Sequence, residues 1–121
     1  MLGRKMPVVF VVSRDWTLRA AVRAELREAG VDALGLETAE DVGKALARGV
    51  LPAVVVVDAA ELDTPLARES LGNLARTVPV LVIDSRTAAA PDLPGAERLP
   101  RPLRVGDIIA RVLARLAGRP V

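Results

Sequence analysis

The chain has 121 residues, 51% of them hydrophobic and 26% charged, and its 17 Lys and Arg against 15 Asp and Glu leave a net charge of +2. This is the balance of one globular domain with an ordinary solvated surface, expected to span residues 1–121 with tails at 1–6 and 118–121. The absence of Cys and His excludes disulfides, thiolate nucleophiles, zinc sites of the usual kind and imidazole base catalysis, and with only Phe10 and Trp16 as aromatics, base stacking on single-stranded nucleic acid is nearly excluded too.

Met1 to Met6 is basic and precedes the apolar run Pro7 to Val12. The run is too short for a membrane span of roughly 20 residues, and Ser13-Arg14-Asp15 breaks it without a cleavage site for a signal peptide. A cytoplasmic protein is expected. Six consecutive apolar residues over 7–12 read as a strand covered on both faces. Ser13 or Asp15 then caps a helix from Trp16 to Ala29. Leu18, Ala21, Val22, Leu26 and Ala29 share its inner face, and Arg19, Arg23 and Arg27 its wet face. Gly30 ends it.

A second strand over 31–36 is less apolar at Asp32 and belongs near a sheet edge. Thr38 caps a helix to about Arg48 that buries Val42, Ala45 and Leu46 and is weakened by Gly43. Next comes Pro52-Ala53-Val54-Val55-Val56-Val57-Asp58. Four valines closed by one carboxylate fit a strand buried on both faces, as in a parallel sheet, with Asp58 at its carboxyl end. Open α/β sheets place their sites at such ends. A loop from Ala59 to Asp63 leads to Thr64-Pro65, a cap with proline in the first helical position, and a helix to about Arg76.

Residues 78–83 form a fourth apolar strand, followed by Asp84-Ser85-Arg86. Pro91, Pro94 and Gly95 prevent a normal-length helix over 86–97, although Ala88 to Ala90 could form one turn. A short strand at Arg98-Leu99 and a helix from Val105 to about Ala117 complete the chain. Val105, Ile108, Ile109, Val112, Leu113 and Leu116 make the core stripe of that helix. Alternating strands and helices give a parallel sheet with right-handed crossovers.

This order resembles the receiver domain of two-component response regulators. The resemblance implies a flavodoxin-like, three-layer α/β fold with strand order 2-1-3-4-5, here with the fourth helix shortened or replaced by a loop. Four family marks can be placed. Val54 to Asp58 matches the phosphoacceptor strand. Ser13-Arg14 stands where the acidic pair belongs. Asp84 occupies the hydroxyl position at the end of strand four, with Ser85 one place late. Arg101-Pro102 stands where Lys-Pro is expected. Only Asp58 is unchanged.

The acidic pair would hold Mg²⁺ with Asp58, and Arg14 cannot ligate a metal. Mg²⁺ binding is therefore expected to be weak or absent, with no other cofactor. Arg14 and Arg101 are expected to pair with Asp58 and Asp84, closing an ionic lock. Trp16 either anchors a partner or folds over the emptied pocket. Arg104, Arg111 and Arg115 lie on the wet face of the last helix, as a solvated face or a contact for an acidic partner. The pI near 9.9 reflects Arg usage, and direct nucleic-acid binding is not expected.

The resemblance implies a signalling module rather than an enzyme. It is read as an atypical, phosphorylation-independent receiver that binds a protein partner in bacterial signal transduction. A homodimer through the last strands and helix is a candidate by resemblance. Two alternatives stand beside this: a receiver phosphorylated at Asp58 by a histidine kinase, and a small flavodoxin-like ligand-binding module. The last is disfavoured by the bulky Ser13-Arg14-Asp15-Trp16, where a phosphate loop needs glycine.

Overall fold

The computed structural model describes residues 7–85, 87–101 and 103–118. The segment 1–6, most of the expected C-terminal tail, and Arg86 and Pro102 lie outside the described residues. The elements run β1 (Val8–Val12), α1 (Trp16–Glu28), β2 (Asp32–Leu36), α2 (Ala39–Ala47), β3 (Val54–Asp58), a 3₁₀ turn (Ala59–Leu62), α3 (Pro65–Leu74), β4 (Val80–Ile83), β5 (Glu97–Leu99) and α4 (Val105–Ala117).

All strand pairs are parallel, and the sheet order is β2-β1-β3-β4-β5. Two apolar layers follow from strand alternation. Val9, Val11, Val54, Val56, Leu81 and Ile83 face α1 and α4. Phe10, Val12, Val55, Val57, Val80 and Val82 face α2 and α3. β3 lies between β1 and β4, and all five of its residues are buried. Burial of each valine is worth about 1.5–3 kcal/mol relative to exposure.

Local chemistry sets the element ends. Asp15, not Ser13, caps α1, accepting from the Thr17 and Leu18 N–H groups. Past α1, Gly30 adopts φ +82. Its N–H donates to the Arg27 carbonyl and that of Val31 to the Leu26 carbonyl, which closes a Schellman cap. Thr38 and Asp41 form a reciprocal capping box on α2. Thr64 caps α3 with Pro65 just inside.

Three expectations are corrected. Ala29 is exposed rather than inward. The segment after Asp58 is a 3₁₀ turn rather than a loop. Arg19 and Arg23 do not form a wet face. Their stems lie over Gly35 of β2, where a Cβ would meet Arg19 Cδ and Arg23 Cδ at 3.0 Å each, and their guanidinium groups donate to the Ser13 and Ala33 carbonyls. A glycine in an edge strand left a trough that the arginine stems fill.

No helix joins β4 to β5 among the described residues. The helical turn that Ala88 to Ala90 could have formed is not present, and the Ser85 N–H donates to the Ala88 carbonyl at 2.9 Å. Leu93, 8% exposed, descends from the connector into the layer of α2 and α3 and seals the sheet where a helix would lie. No helix among the described residues is long and apolar enough to cross a membrane.

Gly43 is exposed inside α2, and a Cβ there meets nothing within 4 Å. Gly43→Ala is expected to raise unfolding stability by about 1 kcal/mol. A shift of the urea midpoint at unchanged slope checks this, and no shift would show that the glycine is not a weak point.

Candidate functional site

The carboxyl ends of β1, β3 and β4 bring Ser13, Asp58 and Asp84 to one edge of the sheet. All three are buried: Ser13 is 1% exposed, and Asp58 and Asp84 are 8% exposed. A buried polar group must find partners, and each does so locally.

Asp58 has both carboxylate oxygens engaged. Oδ2 accepts from the Ser13 hydroxyl at 3.0 Å, and Oδ1 accepts from the Ala60 N–H at 3.0 Å. The Ser13 hydroxyl in turn accepts from the Asp15 N–H at 3.0 Å, so its proton is directed to Asp58. Asp58 thus ends the strand and starts the 3₁₀ turn as its cap.

The predicted lock has different members. Arg14 does not pair with Asp58 or Asp84. Its Nη1 lies 3.4 Å from Glu61 Oε1, and its backbone N–H donates to Glu61 Oε2 at 2.8 Å. Arg14 is 63% exposed in its side chain and Glu61 only 3%. Hydrophobic periodicity does not single out Glu61. Its signal was available in Asp58-Ala59-Ala60-Glu61, a cap residue followed three places later by Glu, which marks the start of a helical turn. That turn carries Glu61 back to the β1–α1 connection.

Asp84 takes its partner from β5. Arg98 Nε donates to Oδ1 at 3.1 Å and Nη2 to Oδ2 at 2.8 Å, a two-pronged pair, and the Ala90 N–H adds a bond at 2.8 Å. An arginine partner was expected for Asp84, but Arg101 was expected to be one of the two candidates. Arg101 instead donates from Nε to the Asp84 backbone carbonyl at 2.8 Å. Arg98 reaches Asp84 because it is level with Val82 on β4 and so shares that face of the sheet, two residues before Asp84. Ser85 has no part in the pocket. Its hydroxyl accepts from the Ala88 N–H at 2.7 Å and holds the turn.

The other interaction candidates separate. Trp16 is 69% exposed and does not fold over the pocket. Arg104 is exposed at the start of α4, where its N–H donates to Asp107 Oδ2. Arg111 and Arg115 are not a free basic face, because both donate to Glu97 of β5, at 2.5 and 2.8 Å.

A divalent ion needs several oxygen ligands, mostly carboxylates. Among the described residues no group of three or more acidic residues could hold a metal. Asp58 already accepts one hydrogen bond on each oxygen, Asp15 is turned away as a cap, and Glu61 lies under a guanidinium. This donor set does not fit Mg²⁺.

No protein-family model matches the sequence, and no curated protein does. Solved structures share the fold. A response regulator receiver protein from Burkholderia phymatum is 23% identical, with 95% of this chain and 99% of that chain covered and a TM-score of 0.69. The non-phosphorylated HemR receiver domain from Leptospira biflexa is 20% identical, covering 95% and 98%, at a TM-score of 0.73. The receiver domain of DrrB, activated with BeF₃, is 22% identical, covering 94% and 100%, at 0.72. The chain therefore has the flavodoxin-like fold of receiver domains, with sheet order 2-1-3-4-5 and, among the described residues, four α-helices.

Ser13→Ala is expected to cost about 1–3 kcal/mol, because it leaves a buried Asp58 oxygen without its donor. Urea denaturation checks this, and an unchanged midpoint would show that Asp58 finds water instead. Two carboxyls set opposite pH limbs. Asp84 is held below its ordinary 3.8, first by Arg98 and then by the Ala90 N–H. Its contribution is present above 3.8 and is lost as pH falls through the lowered value. Glu61 is pushed above its ordinary 4.5 by burial, against the pull of Arg14. Its contribution is full below 4.5 and is lost as pH rises through the raised value. Stability measured against pH is expected to lose its acid limb in Asp84→Asn and its higher limb in Glu61→Gln. Curves parallel to that of the parent protein would contradict both assignments.

Proposed function

We propose that the chain is an atypical receiver-like domain that works by binding a protein partner in signal transduction, without phosphoryl transfer to Asp58. One observation carries the reading: Asp58 is buried with both oxygens hydrogen-bonded, one to a serine that stands where receivers keep an acidic residue. A phosphoacceptor needs a metal to neutralise the charge that develops at the phosphoryl group, and a serine in place of a carboxylate removes one of the ligands that would hold it. Arg14, the other residue at the acidic-pair position, is taken by Glu61.

The connector supports the same reading. In receivers the resemblance assigns the output surface to the helix before the last strand and its neighbours. In this chain Leu93 and the Asp84–Arg98 pair pin an irregular segment in that place. Such a segment offers a fixed surface rather than a switch. The module is cytoplasmic in this reading, and neither an enzyme nor a direct nucleic-acid binder.

Trp16 is the only tryptophan, exposed, and follows directly on Asp15, whose N–H donates to the Ser13 hydroxyl, so its fluorescence is the readout. Titration with Mg²⁺ and then beryllofluoride is expected to leave its emission unchanged, and acetyl phosphate is expected to leave the intact mass unchanged. Saturable quenching by Mg²⁺ at micromolar concentration, or a phosphoryl adduct on Asp58, would replace this reading with the phosphorylatable one.

A further inference from the structure

Adjoining the Asp58 site, and sharing Arg14 and Glu61 with it, a cleft of about 540 Å³ opens between the starts of α2 and α3. Its size is that of a side-chain or small-ligand site. Asp58 does not line it. Three carboxylates do, those of Glu40, Glu61 and Asp63, against the single guanidinium of Arg14. Leu66, 74% exposed, and Ala67 supply an apolar wall.

The carboxylates alone would be a solvated acidic patch. Glu61 makes the difference. It is 5% exposed, and its Oε1 is buried without a hydrogen-bond partner. Arg14 Nη1 lies over that oxygen at 3.4 Å, in a position that supplies charge but no hydrogen bond. Buried carboxylate oxygens are ordinarily satisfied, so this one marks an unfilled donor position.

The helix starts do not make the cleft an anion site. The Asp41 and Ala67 N–H groups are already bonded to the Thr38 and Thr64 hydroxyls. The charge of the lining is acidic, and the unsatisfied atom is an acceptor. Both call for a cationic donor, and the exposed Leu66 calls for an apolar neighbour to it.

We infer that the cleft between α2 and α3 docks a protein partner through a Lys or Arg side chain flanked by an aliphatic residue, the cation meeting Glu40, Glu61 and Asp63 and the aliphatic group covering Leu66. This rests on the reading of the chain as an interaction module and names the chemistry of its partner. The burial that pushes Glu61 up is a cost that an incoming cation offsets. The Arg14 side chain is 63% exposed, so its guanidinium lies at the mouth of the cleft, and one guanidinium leaves two of the three carboxylates for the incoming cation.

The test is selection of a random-peptide library on the full chain, without Mg²⁺ or phosphoryl donor, so that either result leaves the Asp58 experiment independent. Enriched peptides are expected to carry Lys or Arg next to Leu, Ile or Val. Their affinity is expected to fall roughly tenfold or more in a Glu40→Gln/Asp63→Asn double variant and in Leu66→Ser, all at exposed positions. Asp92→Asn, an exposed acidic position that does not line the cleft, is expected to leave affinity unchanged. Enrichment of acidic or uncharged peptides overturns the inference. So does full affinity in the double variant, or an equal loss in Asp92→Asn.

Discussion

β3 has no surface. It is paired on both edges and covered on both faces, so nothing along Val54 to Val57 can meet water. The chain's polar groups can approach the sheet's centre only at the strand ends. That constraint places Asp58 at the carboxyl end and leaves it to find partners among whatever arrives there. The arrivals are Ser13, from the end of the neighbouring strand, and the Ala60 amide, from the turn that Asp58 itself starts. The site is a by-product of packing before it is anything else.

The same logic sorts the charges. Carboxylates come from strand ends and the turn, and are buried. The guanidinium groups that meet them stay mostly in solvent: Arg14 is 63% exposed in its side chain and Arg98 56%. An arginine can keep its head wet and still lay one edge against a buried acid. Each pair is therefore half in water, and its geometry matters more than its Coulomb energy. Asp84 with its two-pronged partner is fixed. Glu61, with one amide bond and one distant guanidinium, is held less completely.

The strands and helices were legible because their signals are long and redundant: runs of valine, a 3.6-residue stripe in the last helix, and caps at Asp15, Thr38 and Thr64 beside glycines at the exits. The site was legible only in part. Ser13, Asp58 and Asp84 could be placed at one sheet edge because strand ends locate them whatever the side chains do. The pairing could not be, because an arginine side chain reaches several acids and the sequence does not say which is nearest. Glu61 was hidden in a segment read as a loop. Arg98 was hidden in a strand too short to show which face it presents. Arg19 and Arg23 misled for another reason: helical periodicity treats arginine as wet, and the trough over Gly35 becomes visible only when strand and helix are placed together.

That trough has a meaning for the sheet as a whole. A parallel sheet of five strands has two open edges, and an open edge is a template for another chain. At one end β5 is three residues long and overlaid by the Glu97 network with α4. At the other, β2 carries Asp32 at its start and has Arg19 and Arg23 laid across its middle, one of them bonded to a β2 carbonyl. Charged side chains thus accompany both edge strands, as sheets that resist edge pairing commonly show. The glycine that seems to weaken β2 is what lets those arginines settle there, so a loss of strand propensity is matched by charge placed on an edge strand.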